Sequence, residues 1–153
     1  GSDDSDAFGS SGSYSREMIA KMTVNQKSQF YNMNHKRRGM ALIFNHENFL
    51  LPDMKPRTGT NADCSSLHKV LTDFGFEVHV YHDLQYSDLI NQVHKVAQSN
   101  HSDCDCFLMA VLSHGEPNCV YARDMPYQPD KLWAPFAAEK CPTLAGKPKM
   151  FFM

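Results

Sequence analysis

Between residues 39 and 112 two short apolar runs and one segment of alternating polarity are interleaved with two stretches whose apolar residues recur at helical spacing. That interleaving restricts the fold more than any other feature of the chain. Met40-Ala41-Leu42-Ile43-Phe44 is continuously apolar, the pattern of a strand covered on both faces. A polar loop follows through Pro52 and Pro56 to Gly59. Leu67, Val70, Leu71 and Phe74 then fall at i, i+3, i+4 and i+7, one helix face. The pattern predicts Thr60 or Asn61 as the cap of that helix, Gly75 as its stop, and Cys64 outside its apolar stripe. Phe76, Val78 and Val80 alternate with Glu77, His79 and Tyr81 as a period-two strand. Tyr86, Leu89, Ile90, Val93, Val96 and Ala97 mark a second helix, opened by Ser87 and Asp88. Residues 106–112 form the most buried strand. Beyond Pro117 the pattern predicts a short strand at Val120-Tyr121, a helix over 131–138, and a last buried strand at Met150-Phe151-Phe152-Met153.

Strand, helix, strand, helix, strand at these spacings requires right-handed crossovers, hence an α/β fold with a mainly parallel sheet and helices on both faces. Active groups in such folds collect at the carboxyl ends of strands. The loop after Leu112 reads Ser113-His114-Gly115-Glu116. A histidine at a strand end can act as a base, and the unshielded N–H of the next glycine can donate to an oxyanion.

Composition narrows the class. The 153 residues suit about one domain, and 42% hydrophobic residues exclude a wholly disordered chain. The longest apolar run, 106–112, is far short of the roughly 18 residues that span a bilayer, and no charged-then-apolar leader opens the chain. A net charge of −2 argues against a nucleic-acid binder. Five cysteines, an odd number without paired spacing, suit a reducing compartment, so a cytoplasmic location is expected.

Charge is unevenly spread near the start. Asp3, Asp4, Asp6 and Glu17 face only Arg16 in 1–18, whereas 19–38 carry Lys21, Lys27, Lys36, Arg37 and Arg38 without an acid. Eleven of the first thirteen residues are Ser, Gly or Asp. Residues 1–28 therefore read as a disordered arm and 29–153 as the domain. The chain opens on Gly1 and stops at Met153 inside an apolar run, so the domain is expected to be incomplete at its C-terminal end, with a bare edge strand there.

The Ser-His-Gly-Glu segment after a buried strand resembles the catalytic-histidine motif of caspases, the aspartate-directed cysteine proteases. The resemblance extends to Tyr31-Asn32-Met33-Asn34-His35, to 39–45, to Arg57-Thr58-Gly59-Thr60-Asn61-Ala62-Asp63, to Asp103-Cys104-Asp105-Cys106 and to 142–149. These blocks stand in the family's order over about residues 30–153, and they are most similar to the large subunit of an executioner caspase. One departure is local: the family usually has a glycine two or three residues after this motif, where Pro117-Asn118-Cys119 stand here.

The resemblance implies that His114 takes the thiol proton and returns one to the leaving amine, that Gly115 N–H holds the oxyanion, and that Arg57 lines the pocket for the substrate's aspartate. It places the nucleophile in a Gln-Ala-Cys-x-Gly signature about 50 residues beyond the histidine. Only 39 residues follow His114, so the chain alone is expected to be inactive. Cys64, Cys104, Cys106, Cys119 and Cys141 read as packing or surface cysteines.

In the arm, Asp3-Asp4-Ser5-Asp6 has the form such proteases cut after. Cleavage behind Asp6 would expose Ala7-Phe8-Gly9-Ser10, which resembles the tetrapeptide that inhibitor-of-apoptosis domains capture by its α-amine. Expected partners are protein substrates with Asp at the cleavage site, a small subunit with a second large/small pair, an initiator caspase and inhibitor-of-apoptosis proteins. No nucleic acid, membrane or cofactor is expected. No metal is expected either, because His101-x-x-Cys104-x-Cys106 is poorly spaced for one. The complete protein would act in apoptotic proteolysis. An alternative is a naturally truncated, non-catalytic caspase homologue that regulates active caspases or binds those inhibitors. An unrelated doubly wound ligand-binding domain is disfavoured, since no Gly-rich loop follows the first strand.

Overall fold

The computed structural model describes residues 30–153. Four strands, β1 (Met40–Asn45), β2 (Glu77–His82), β3 (Phe107–Leu112) and β7 (Lys149–Phe152), form one parallel sheet in the order β2-β1-β3-β7. The helix α1 (Thr60–Asp73) crosses over from β1 to β2, and α2 (Tyr86–Ala97) from β2 towards β3. A small antiparallel sheet of β4 (Gly115–Glu116), β5 (Cys119–Tyr121) and β6 (Pro126–Tyr127) follows β3 directly.

The pleat sorts the two central strands between two cores. Leu42 and Phe44 of β1 and Phe107, Met109 and Val111 of β3 face α2 with Leu89 and Val93. Ala41, Ile43, Leu108 and Ala110 face α1 with Cys64 and Leu71. Successive side chains of a strand point to opposite faces, so a continuous apolar run is what a doubly covered strand requires. On the α2 side Phe107 stacks on Phe136 with ring centroids 4.3 Å apart. The α1 side is thinner, and an apolar cleft of about 400 Å³ lies open beside β7, lined by Leu67, Leu71, Leu108, Ala110 and Phe152 among others.

Gly39 sets how closely β1 and β3 approach. Its φ is +136°, and a Cβ there would collide with the Cys106 carbonyl oxygen. At the end of α1, Gly75 at φ +91° receives the chain after the Phe74 cap, and Phe76 N–H reaches back to the Leu71 carbonyl at 3.1 Å. That is the stop the sequence predicts.

Three local expectations need correction. The buried line of α1 contains Thr60, Cys64 and Leu71, while Val70 is 48% and Phe74 66% exposed. The helix is rotated from its apparent stripe: its inner face packs Cys64 and Leu71 on Ala41, Ile43, Leu108 and Ala110, with Thr60 hydrogen-bonded to Asn45 at the end of β1. Neither helix start has the expected side-chain cap. Gly59 precedes α1, and the first amide of α2, on Tyr86, is held at 2.8 Å by the carboxylate of the distant Asp124. The predicted helix over 131–138 is a four-residue α3 (Asp130–Trp133) passing into a 3₁₀ turn, Ala134–Phe136, because Pro135 has no amide to continue it.

Candidate active site

β1, β2 and β3 end at the same edge of the sheet, and the candidate residues collect there. His46 N–H donates to the Leu112 carbonyl at 2.8 Å, so the exits of β1 and β3 are tied together. His114 lies two residues beyond β3, half-buried. Its Nε2 is 2.8 Å from the Lys55 carbonyl oxygen, and its ring lies 5.0 Å from that of Phe49. A carbonyl oxygen only accepts, so the neutral ring carries its proton on Nε2 and its lone pair on Nδ1. Phe49 also stacks on His46 at 6.2 Å.

The hairpin after His114 turns on Pro117-Asn118, with Gly115 opposite Val120 and Glu116 opposite Cys119. Neither turn residue has positive φ, and Pro117 presets the first turn position, so the two-residue turn closes without the family's usual glycine. Tyr121 N–H donates to the His114 carbonyl at 3.1 Å. Hydrogen-bonded pairs alternate along an antiparallel ladder, which makes Gly115 and Val120 a non-hydrogen-bonded pair. The Gly115 N–H therefore points away from β5, on an exposed residue.

Arg57 lies two residues beyond Lys55, so one loop carries both the histidine's acceptor and the candidate carboxylate binder. Arg57 Nη1 donates to the His46 carbonyl at 2.9 Å and to Thr60 Oγ1 at 2.8 Å. Its Nε and Nη2 make no hydrogen bond, and its guanidinium no ion pair, among the described residues. Behind it, Thr60 Oγ1 donates to Asn45 Oδ1 at 2.7 Å, and Asn45 Nδ2 donates to Asn61 Oδ1 at 2.8 Å.

Asp83 holds the loop that presents Phe49. At φ +51° it accepts the amides of Glu47 at 2.7 Å and Asn48 at 3.0 Å. Burial alone would push this carboxyl up, but those amide donors and the Asn48 side chain outweigh it and hold it below its ordinary value. His46 is fully buried with neither ring nitrogen partnered, and burial lowers its pKa to about 4.

Of the residues singled out from sequence, His114, Gly115 and Arg57 come together at this edge. Asp6, Ala7, Phe8, Gly9 and Ser10 lie outside the described residues. Cys64, Cys104, Cys106 and Cys141 are buried, and burial pushes each thiol above its ordinary value. Cys119 lies on the hairpin with its Sγ 3.7 Å from Glu116. His101 and Cys104 serve packing: His101 Nε2 is 2.8 Å from the Val96 carbonyl oxygen. The Lys55 carbonyl, Phe49, Asn45 and Asp83 had no signal of their own in the sequence, except that Asn45 is a polar residue closing an apolar strand.

No helix among the described residues is long and apolar enough to cross a membrane. The family model described as "Caspase domain" matches residues 38–153. Caspase-1 of Spodoptera frugiperda is 50% identical over the whole chain, which covers 51% of that relative. Caspase drICE of Drosophila melanogaster is 50% identical over 95% of the chain and 43% of its own length. The crystal structure of the Spodoptera caspase-1 superposes with a TM-score of 0.86 at 52% identity, covering 88% of this chain and 53% of that one. The chain thus spans about half the length of the relatives it matches. With the model matched over most of its length and the sheet superposed on a solved relative, the chain belongs to the caspase family.

Proposed function

We propose that the complete protein is an aspartate-directed cysteine endopeptidase of the executioner kind, acting in cytoplasmic apoptotic proteolysis, with 29–153 as its large-subunit domain. The observation that carries this reading is the single edge of the sheet that gathers His114 with a free Nδ1, an outward Gly115 N–H and an Arg57 without a carboxylate. In this reading His114 Nδ1 takes the proton of a cysteine thiol, and the thiolate adds to the scissile carbonyl. The Gly115 N–H stabilises the oxyanion, and His114 returns the proton to the leaving amine; water then hydrolyses the acyl-enzyme. Arg57 receives the substrate's aspartate through paired N–H donors, a geometry that a guanidinium supplies and an ammonium does not.

The nucleophile comes from outside residues 1–153. Four of the five thiols are buried with raised pKa, and the fifth contacts Glu116 rather than His114. The chain alone is therefore inactive until a small subunit and a second large/small pair complete it. An initiator caspase activates the assembly. Cleavage behind Asp6 frees Ala7-Phe8-Gly9-Ser10 for an inhibitor-of-apoptosis domain, and Asp6→Ala abolishes both that cleavage and inhibitor capture in a pull-down.

The test of the catalytic reading is peptide hydrolysis by the complete protein, with Asp, Glu or Asn at the cleaved position. His114→Ala is expected to lower kcat by roughly 10²–10⁴-fold, and Arg57→Ala to remove the preference for Asp. Full turnover by His114→Ala would discard the assignment.

A further inference from the structure

We infer that Thr60, held by Asn45, is a positioning residue that orients the Arg57 guanidinium so that its Nε–Nη2 edge is the one offered to the substrate carboxylate. The inference rests on the reading of Arg57 as the aspartate binder and specifies how that binding is built. Thr60 and Asn45 are 3% and 1% exposed, although both side chains are polar. Buried polar groups are retained where their hydrogen bonds are satisfied, and here the bonds run in one direction.

Asn45 Nδ2 donates to Asn61 Oδ1 at 2.8 Å and lies 3.2 Å from His82 Nδ1, which turns the Asn45 Oδ1 towards Thr60. The Thr60 hydroxyl has one proton, and Asn45 Oδ1 takes it at 2.7 Å. Its remaining lone pairs face Arg57 Nη1 at 2.8 Å. The His46 carbonyl accepts from the same Nη1 at 2.9 Å. Two acceptors on one nitrogen fix the plane and rotation of the guanidinium, and the opposite edge stays available.

Backbone bonds hold the frame: Arg57 N–H donates to the Glu47 carbonyl at 2.9 Å, and Thr60 N–H to the Arg57 carbonyl at 3.3 Å. Thr60 begins α1 and Asn45 ends β1, so two rigid elements aim a side chain carried on a loop. A fork that must meet a planar carboxylate in two bonds is sensitive to its rotation.

The experiment measures kcat and KM of the complete protein on paired peptides that differ only in Asp or Asn at the cleaved position. The ratio of the two kcat/KM values cancels any change in the folded fraction. Thr60→Val is expected to lower that ratio about tenfold, through KM for the Asp peptide with kcat nearly unchanged. Thr60→Ser, which keeps the hydroxyl, is expected to restore it to within about threefold of the parent. Thr60→Ala gives the same comparison if the valine variant does not fold. An unchanged ratio in both hydroxyl-free variants, or a serine variant as impaired as the valine one, overturns the relay. If Arg57→Ala also keeps the preference for Asp, the reading of Arg57 falls with it; if Arg57→Ala loses that preference, only the relay falls.

Discussion

At the end of the sheet where the strands begin, charged groups are matched to one another. Asp105, buried, accepts His35 N–H at 2.9 Å and faces the His35 ring at 3.0 Å and Arg38 Nη1 at 3.3 Å. Arg37 grips Asp103 through Nε and Nη2 and reaches Glu77 at 3.5 Å. Lys147, also buried, gives its ammonium to the carbonyls of His101 and Ser102. At the end where the strands finish, the Asp83 and Glu47 carboxylates are met by neutral amide donors, and the Arg57 guanidinium is met by a hydroxyl and a main-chain carbonyl, with no carboxylate among the described residues. The same four strands therefore have one end where cations and carboxylates pair with one another and one end where the Arg57 cation has only neutral acceptors. Saturated charge holds structure; an unsaturated charge held in place is what the proposed role of Arg57 requires.

That contrast can be broken by experiment, and the sharpest break should come at the saturated end. Gly39→Ala must move β1 off the Cys106 carbonyl and hold alanine at φ +136°, so a loss of about 4 kcal/mol in unfolding free energy is expected from urea titration of the complete protein. A loss below about 1 kcal/mol would mean that this end yields easily, and that its rigidity is not what supports the site.

The unsaturated end carries its own vulnerability, in acid. His46 titrates at 6.5 when exposed and at about 4 when folded. Between those values the unfolded chain holds a proton that the folded protein does not, so the His46 contribution to stability is complete above about pH 6.5 and is lost as pH falls towards 4. The full loss amounts to about 3 kcal/mol. Melting temperatures followed from pH 7 down to 4.5 should therefore fall, and His46→Met should flatten that slope. An unchanged slope in the variant would place the acid sensitivity elsewhere.

Asp105→Asn should cost about 2 kcal/mol, because an amide cannot accept from all three donors that face the carboxylate. Its effect should appear in denaturant titration and leave the Asp-over-Asn preference of the complete protein untouched. A changed preference would mean that the two ends are coupled. Arg37→Ala should do least: its pairs with Asp103 and Glu77 are exposed and screened by water, so the urea midpoint should not shift measurably.

Much of this molecule is legible as sequence because period and burial are coupled directly. The apolar run at 40–44 and the run at 106–112 are the two central strands, since a strand covered on both faces has no polar positions to offer. His114, Gly115 and Arg57 were legible as family-like segments around punctuating residues. The rotation of α1 was not, because Val70 and Phe74 have the right spacing for a buried stripe, yet the helix packs through Cys64 and Leu71 and leaves both exposed.

What the sequence determined by itself was local and periodic: the strands of the parallel sheet and the two long helices between them, the glycine that stops the first of those helices, and which loop follows the buried strand. Those properties depend on residues within a few positions of one another. The tertiary structure alone decided the partners, because hydrogen bonds join residues far apart in the chain. His114 meets a carbonyl 59 residues away, and Asp83 collects amides about 35 residues before it. A main-chain carbonyl such as that of Lys55 leaves no mark in the residue type, since every residue has one. Its significance comes from where the fold brings it.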